Sequence, residues 1–358
     1  MCYETDQQRM EAFIQLSHIG GSRADYVQGG GGNTSVKLNN GQMAIKASGF
    51  CLKDIEKNTG FAVLDGKALR KFYLENEPEN FEDCEAAGAQ CTKDNIQVME
   101  GVPQLRPSVE AGFHSILKTY VLHTHSVFAN LAACAVGGRE IAEKALRDTP
   151  YSWGWVDYQD PGARLAFAIR DELDRVEKET GRVPSVIIMQ NHGIIVHDDD
   201  AVSCLAIHAD ANVRLAAFFG LSENAFPPVS IQELAGGVYR ATTPYLQEKL
   251  KNCAYTQDQL LYAPLYPDQM VFLVGTYFQD QDEIEAGQAV SNTANGELLL
   301  RMSKQKALAL TEVLTAVFYI MEQVQNRGYE VSTMDDAARN FIANWESEKY
   351  RKSLNEKK

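Results

Sequence analysis

Val121-Leu122-His123-Thr124-His125 sets two imidazoles at alternate positions of an apolar run. On a strand, alternate side chains leave the same face, so both rings would point one way. Burying two imidazoles side by side strands polar nitrogens unless they share a partner, and a metal ion supplies one at once. A fold for this chain therefore needs a strand here, with other groups gathered at its end. The chain has only 7 histidines. A third one of interest, His192, lies in Gln190-Asn191-His192-Gly193, at a strand end before glycine where a side chain can reach into a cleft. Glu110 stands upstream of the pair. Three neutral imidazoles with an open fourth position make a catalytic zinc-type site, because a structural site is closed by a fourth protein ligand. A carboxylate beside such a metal is placed to move a proton on a carbon next to a carbonyl.

The remaining histidines carry less. His18, His197 and His208 read as satisfied core residues. His114 shares a helical face with Glu110 and is given a structural or hydrogen-bonding role. Glu110 also has a purely structural reading, as an acid favouring the positive end of a helix dipole.

At 358 residues the chain can form one large domain or two moderate ones. Its hydrophobic share of 45% and charged share of 23% are those of an ordinary soluble globular protein. A formal charge of −14 argues against nucleic acid or an anionic membrane as the main partner. A phosphorylated substrate would need a local positive field from backbone amides, a metal or one or two cations. Met1-Cys2-Tyr3-Glu4-Thr5-Asp6 has neither a basic start nor an apolar core, so no signal peptide is expected. The most apolar stretch, 308–324, is interrupted by Glu312 and Glu322 and does not read as a membrane span. The 7 cysteines are scattered without a CxxC pair, which suits idle thiols of a reducing cytoplasm.

Along the chain, residues 7–19 read as a helix ended by Gly20-Gly21. Gly29-Gly30-Gly31-Gly32-Asn33-Thr34-Ser35 leads into a hairpin with strands at 35–38 and 43–46 and a turn at Asn39-Asn40-Gly41. The glycine run lets closely spaced N–H groups converge on an anion, although it lacks the ending of a nucleotide P-loop and the phasing of a dinucleotide fold. Lys46 and Ser48 face one way on the strand that follows. Residues 61–65 read as a strand, 66–76 as a helix, and the acidic stretch 77–95 as a turn-rich surface excursion. A helix is expected from Pro107-Ser108 to about 118, with Ser108 as N-cap and Glu110 in its first turn. Then come a strand at 121–125, a helix at 127–135, an aromatic loop at 150–160, a helix at 162–179, strands at 185–190 and 194–196, and a helix at 200–219. Beyond 228 the character changes: a strand is expected at 270–274, a long helix at 304–326, and a last helix at 334–350 capped by Ser332 with Asp335.

Taken together, these residues resemble the class II aldolase/adducin family. Its marks occur in order as Gly32-Asn33-Thr34-Ser35, Ser48-Gly49, Pro107-Ser108-Val109-Glu110, His123-Thr124-His125 and Asn191-His192-Gly193, across roughly residues 8–225. Tyr266-Pro267-Asp268-Gln269 and Phe341-Ile342-Ala343-Asn344-Trp345-Glu346 are similar to the aldolase part of rhamnulose-phosphate aldolase/dehydrogenase fusion proteins. No dehydrogenase domain is expected here, since the sequence ends at Lys358.

The resemblance implies a three-layer α/β/α domain with a central mixed or antiparallel sheet over residues 1–228, and a C-terminal α/β extension over 229–358. It implies a divalent metal, usually zinc, on His123, His125 and His192, with Glu110 as the acid/base. The family's phosphate pocket falls on Asn33, Ser48, Gly49 and Ser108. Val109 stands where sugar-phosphate aldolases often have a second small hydroxyl residue. A family tyrosine that serves the aldehyde from a neighbouring subunit has Tyr151 and Tyr158 as candidates. The implied activity is retro-aldol cleavage of a ketose 1-phosphate of rhamnulose or fuculose type to dihydroxyacetone phosphate and a small aldehyde, by a cytoplasmic homo-oligomer, commonly a tetramer. Pentulose-phosphate 4-epimerases and sugar-phosphate dehydratases share this scaffold, and adducin-type members use it to bind partners.

Overall fold

The computed structural model describes residues 4–344. Eight strands form the central sheet: β1 (Asn33–Lys37), β2 (Gln42–Lys46), β3 (Phe61–Asp65), β4 (Ile96–Gln97), β5 (Tyr120–Thr124), β6 (Trp153–Val156), β7 (Val186–Met189) and β8 (Gly193–Asp198). Their order is β4-β3-β2-β1-β5-β8-β7-β6. The β6–β7 pair is parallel and its neighbours pair antiparallel, so the sheet is mixed.

Eight helices accompany it: α1 (Asp6–Gly21), α2 (Gly66–Glu75), α3 (Cys84–Asp94), α4 (Ala111–Ile116), α5 (Val127–Ala133), α6 (Gly138–Ala145), α7 (Ala163–Thr180) and α8 (Ala201–Phe218). The two-residue period of the strands sorts them onto two faces. Leu122, Ile188, Ile194 and Val196 pack with Phe13 of α1, Leu131 of α5 and Leu215 of α8. Val121, Ile187, Met189 and Ile195 pack with Leu69 of α2, Phe113 of α4 and Phe167 of α7. That is a helix–sheet–helix sandwich, and it explains why Val186-Ile187-Ile188-Met189 is apolar throughout: both of its faces are covered.

The C-terminal part holds a second sheet of β9 (Ile231–Glu233), β10 (Tyr239–Ala241), β11 (Tyr277–Gln279), β12 (Ala289–Asn292) and β13 (Glu297–Leu300), in the order β11-β12-β13-β10-β9. With it come α9 (Pro244–Leu250), α10 (Gln257–Tyr262), α11 (Pro267–Leu273), α12 (Lys304–Asn326) and α13 (Asp336–Asn344). Helix α12 is long and apolar enough to cross a membrane by length and composition, yet 72% of its most apolar window is buried inside the protein. It packs against α5 of the first sandwich and against α9 and α11 of its own part. Its two acids have partners: Glu312 accepts from the Gly29 N–H at 2.8 Å, and Glu322 accepts from Tyr245 and Lys249.

Several sequence expectations change. The acidic stretch 77–95 contains α3, because its acids are caps: Asp83 accepts from Ala86 N–H at the head of α3, and Glu85 accepts from Ala163 and Arg164 at the head of α7. The aromatic stretch 150–160 supplies edge strand β6. Residues 270–273 end helix α11 instead of forming a strand. A short apolar run does not reveal its own period, and Pro267 at the first position presets the helix. The last helix begins at Asp336, capped by Asp335, which accepts from Ala338 N–H at 2.8 Å, whereas Ser332 bonds elsewhere. Residues 345–350 of that expectation lie outside the described residues. His18 is exposed, with Nε2 2.7 Å from the Ile55 carbonyl; His197 and His208 are buried as expected. The cysteines among the described residues are free thiols.

Candidate metal centre and acid–base site

Strand β5 runs between β1 and β8, with His123 opposite Asn33 on one side and Ile195 on the other. His125 follows its last residue. The alternation does what the sequence implies: Nε2 of His123 and Nε2 of His125 lie 3.2 Å apart. His192 arrives from the turn between β7 and β8, where Asn191 takes φ 49°, a left-handed conformation that asparagine tolerates. The three ring centroids are 4.9 to 5.1 Å apart, and one nitrogen from each ring lies within 4.8 Å of the others. All three rings are buried.

The partners on the far side of the rings set the tautomers. Nδ1 of His123 is 3.0 Å from the Ile194 carbonyl, which only accepts, so Nδ1 carries the proton. Nδ1 of His125 is 2.5 Å from Oδ2 of Asp268, which fixes its proton in the same place. With both rings neutral, the two Nε2 lone pairs face each other across 3.2 Å, a repulsive arrangement that a cation between them relieves. Three ring nitrogens within reach of one point, those of His123 and His125 backed by acceptors, fit a borderline divalent cation such as zinc.

Glu110 precedes α4 and is the other inward group. Its Oε1 lies 3.2 Å from Nε2 of His192, and Oε2 lies 3.6 Å from Nε2 of His123. Oε1 is buried without a directed hydrogen bond. Burial pushes this carboxyl up, but the facing imidazoles, His123 first, outweigh it and hold Glu110 well below its ordinary range. Burial carries His123 down to about 3, against the opposing pull of Glu110. An ionised carboxylate beside a neutral imidazole is the state a metal requires.

Glu110 is held by Asn33, whose Nδ2 donates to Oε2 at 2.5 Å and to Ser108 Oγ at 3.1 Å. The Asn33 oxygen accepts from Nε2 of His114, so Nδ1 of His114 accepts from Ser35 Oγ at 2.7 Å. Ser35, His114 and Asn33 thus form a buried relay of hydrogen bonds ending on Glu110, and His114 has the hydrogen-bonding role expected of it. Ser108 does not cap α4, which starts at Ala111.

Ser48 and Ser108 lie on adjoining antiparallel segments: Ser48 N–H donates to the Arg106 carbonyl at 2.9 Å, and Ser108 N–H to the Lys46 carbonyl at 3.1 Å. Gly49 is exposed beside them. Lys46 Nζ donates to the carbonyls of Phe50 and Gly30, tying this loop to the glycine run. Asn33 joins this group through its amide nitrogen, which donates to Ser108 as well as to Glu110. Tyr151 bonds Asp210 and Tyr158 bonds Asp160. The tyrosine packed against the histidines is Tyr266, with ring centroids 6.1 Å from His125. In the sequence Tyr266 and Asp268 stand out only through the family resemblance. Nothing local ties residue 268 to residue 125.

The sequence pattern of the class II aldolase and adducin N-terminal domain matches residues 12–209. The chain belongs to that family. It is similar in structure to the N-terminal class II aldolase domain of a conserved protein from Thermoplasma acidophilum, at 21% identity and TM-score 0.47, over 61% of this chain and 95% of that one. It is also similar to an L-fuculose 1-phosphate aldolase at 16% identity and TM-score 0.38, over 58% and 84%. A sugar-phosphate aldolase from Thermotoga maritima aligns at 13% identity and TM-score 0.40, over 58% and 94%. No curated protein matches it by sequence.

Proposed function

We propose that this chain is a metal-dependent aldolase of ketose 1-phosphates, cleaving them reversibly to dihydroxyacetone phosphate and a small aldehyde. Residues 1–228 are the catalytic domain in this reading and 229–358 an extension. The observation that carries it is the pair of histidine Nε2 atoms 3.2 Å apart, with His192 within reach and the buried Glu110 carboxyl beside them.

His123, His125 and His192 would hold a divalent cation, zinc foremost, which supplies a Lewis acid for the charge that develops on the substrate's ketone oxygen. In the synthetic direction ionised Glu110 takes a proton from the hydroxymethyl carbon of dihydroxyacetone phosphate, the carbon's electron pair attacks the aldehyde, and the aldehyde oxygen takes up that proton to become the new hydroxyl. In cleavage the hydroxyl on the departing carbon gives its proton to ionised Glu110 as the carbon–carbon bond breaks and the aldehyde forms, and Glu110 delivers that proton to the carbon left behind. Asn33 keeps Oε2 of Glu110 engaged, so Oε1 is the oxygen that exchanges the proton. Ser48, Gly49 and Ser108, with Asn33, would meet the phosphate.

The test is deuterium exchange into dihydroxyacetone phosphate, followed by NMR with zinc-loaded protein in heavy water. It needs no knowledge of the aldehyde. Exchange that a chelator abolishes supports the reading. No exchange by protein with zinc confirmed in place would overturn it and favour a dehydratase, an epimerase or another donor.

A further inference from the structure

The C-terminal extension reaches the histidine cluster at two points. Asp268, in the first turn of α11, is 3% exposed and presents Oδ2 to Nδ1 of His125 at 2.5 Å. A Cβ on Gly31 would stand 2.3 Å from that same oxygen and 2.9 Å from Nδ1, so the third glycine of the run is the space in which the pair meets. The second point is the turn that carries His192. The side-chain nitrogen of Asn191 donates to the carbonyls of Leu265 and Ser332, both at 2.9 Å, and Ser332 Oγ donates to Asn191 Oδ1 at 3.1 Å. Two of the three imidazoles are therefore fixed from residues beyond 228.

We infer that Asp268 is a positioning residue of the metal centre: it holds His125 with its proton on Nδ1 and its Nε2 lone pair aimed at the other two rings. This rests on the metal reading of His123, His125 and His192. A carboxylate behind a ligating imidazole fixes the ring's orientation and raises its basicity, and its loss typically weakens metal binding about 10- to 100-fold. The extension is by this reading a working wall of the site. The glycine run, expected from the sequence to offer N–H groups to an anion, here clears room for a carboxylate that crosses from the other part of the chain. Gly29 N–H is itself spent on a carboxylate from the extension, that of Glu312.

The experiment is a zinc titration of the full chain against a competing chelator, with the visible spectrum of the cobalt-substituted protein and the melting temperature of the metal-free protein as companions. Asp268→Ala is expected to weaken zinc about 10- to 100-fold and to shift the cobalt bands, with the metal-free melting temperature close to the parent's. Asp268→Asn keeps the shape and an acceptor oxygen but drops the charge, so it should fall between; it carries the test if the alanine variant does not fold. Gly31→Ala should match Asp268→Ala, since the added methyl displaces the carboxylate. Parental zinc affinity and an unchanged cobalt spectrum in Asp268→Asn and Gly31→Ala would overturn the positioning role and leave the three-histidine site standing. A parent chain that binds no zinc would overturn both.

Discussion

Glu110 illustrates how a side chain's job is set by what surrounds it at the scale of single residues. A carboxylate at the head of a short helix is ordinary. Three imidazoles on one side and Asn33 on the other keep it ionised and fix one of its oxygens, so that the other is open to a proton. Glu110→Gln keeps the volume and the Asn33 contact but removes the proton acceptor. Exchange into dihydroxyacetone phosphate should fall about 10²- to 10⁴-fold, while zinc affinity stays within a few-fold of the parent. Near-parental exchange would refute the assignment. His208 makes a different prediction. It is buried against Tyr26 with Nε2 2.8 Å from Thr124 Oγ1, and burial, aided by the charge of Arg23, takes it down to about 3. The unfolded chain takes up a proton as pH falls through about 6.5, while the folded chain resists until about 3, so this stability is complete above 6.5 and drains away below it. Urea melts at pH 7 and pH 5 should show His208→Gln losing about 2 kcal/mol less than the parent between the two. An equal loss would mean that His208 takes no part in the acid sensitivity. The alternation of His123 and His125 was legible because a period of two is a local property. Asn33's grip on Glu110 was not, because it depends on the register that sets Asn33 opposite His123.

Elements follow the same division. Strands with strong composition, such as Val186–Met189, and long helices such as Lys304–Asn326 could be read directly, the latter to the residue. Elements whose reason lies elsewhere could not. β6 is a strand because β7 offers it an edge, and α3 is a helix because Asp83 caps it and Gly88 allows close approach to Ala163. Helix α12 was recognised as a helix, but its place was not: it is the element on which the two parts of the molecule meet. Leu314, fully buried near its middle, belongs to the apolar cluster that includes Leu131 of α5 and Leu246 of α9. Leu314→Ala should cost about 2–5 kcal/mol in urea unfolding, the range for a deep leucine truncation. A cost under about 1 kcal/mol would show that α12 is not shared core.

At the scale of the whole molecule, the family pattern ends at residue 209, while the hydrogen bonds of the histidine site do not. The sequence changes character at about 228, and beyond that point only a resemblance, with no local pattern, connects it to the histidines. The contacts that make the connection span more than 70 residues, from Asn191 to Leu265 and from His125 to Asp268, and no local pattern encodes such pairs. If the site is one unit, zinc should stabilise it as one unit. Ligand binding to the folded state alone adds about 4 kcal/mol at a thousandfold excess over Kd, enough to slow amide exchange up to about 1000-fold wherever opening breaks the site. Residues 265–269 should then gain protection together with 121–126 and 190–193 when zinc is added, and lose it together when a chelator strips the metal. Protection limited to 121–126 and 190–193 would mean that the extension opens independently of the histidines, leaving α11 a neighbour of the site and no part of it. Joint protection that Asp268→Asn confines to those two segments would trace the coupling to a single carboxylate.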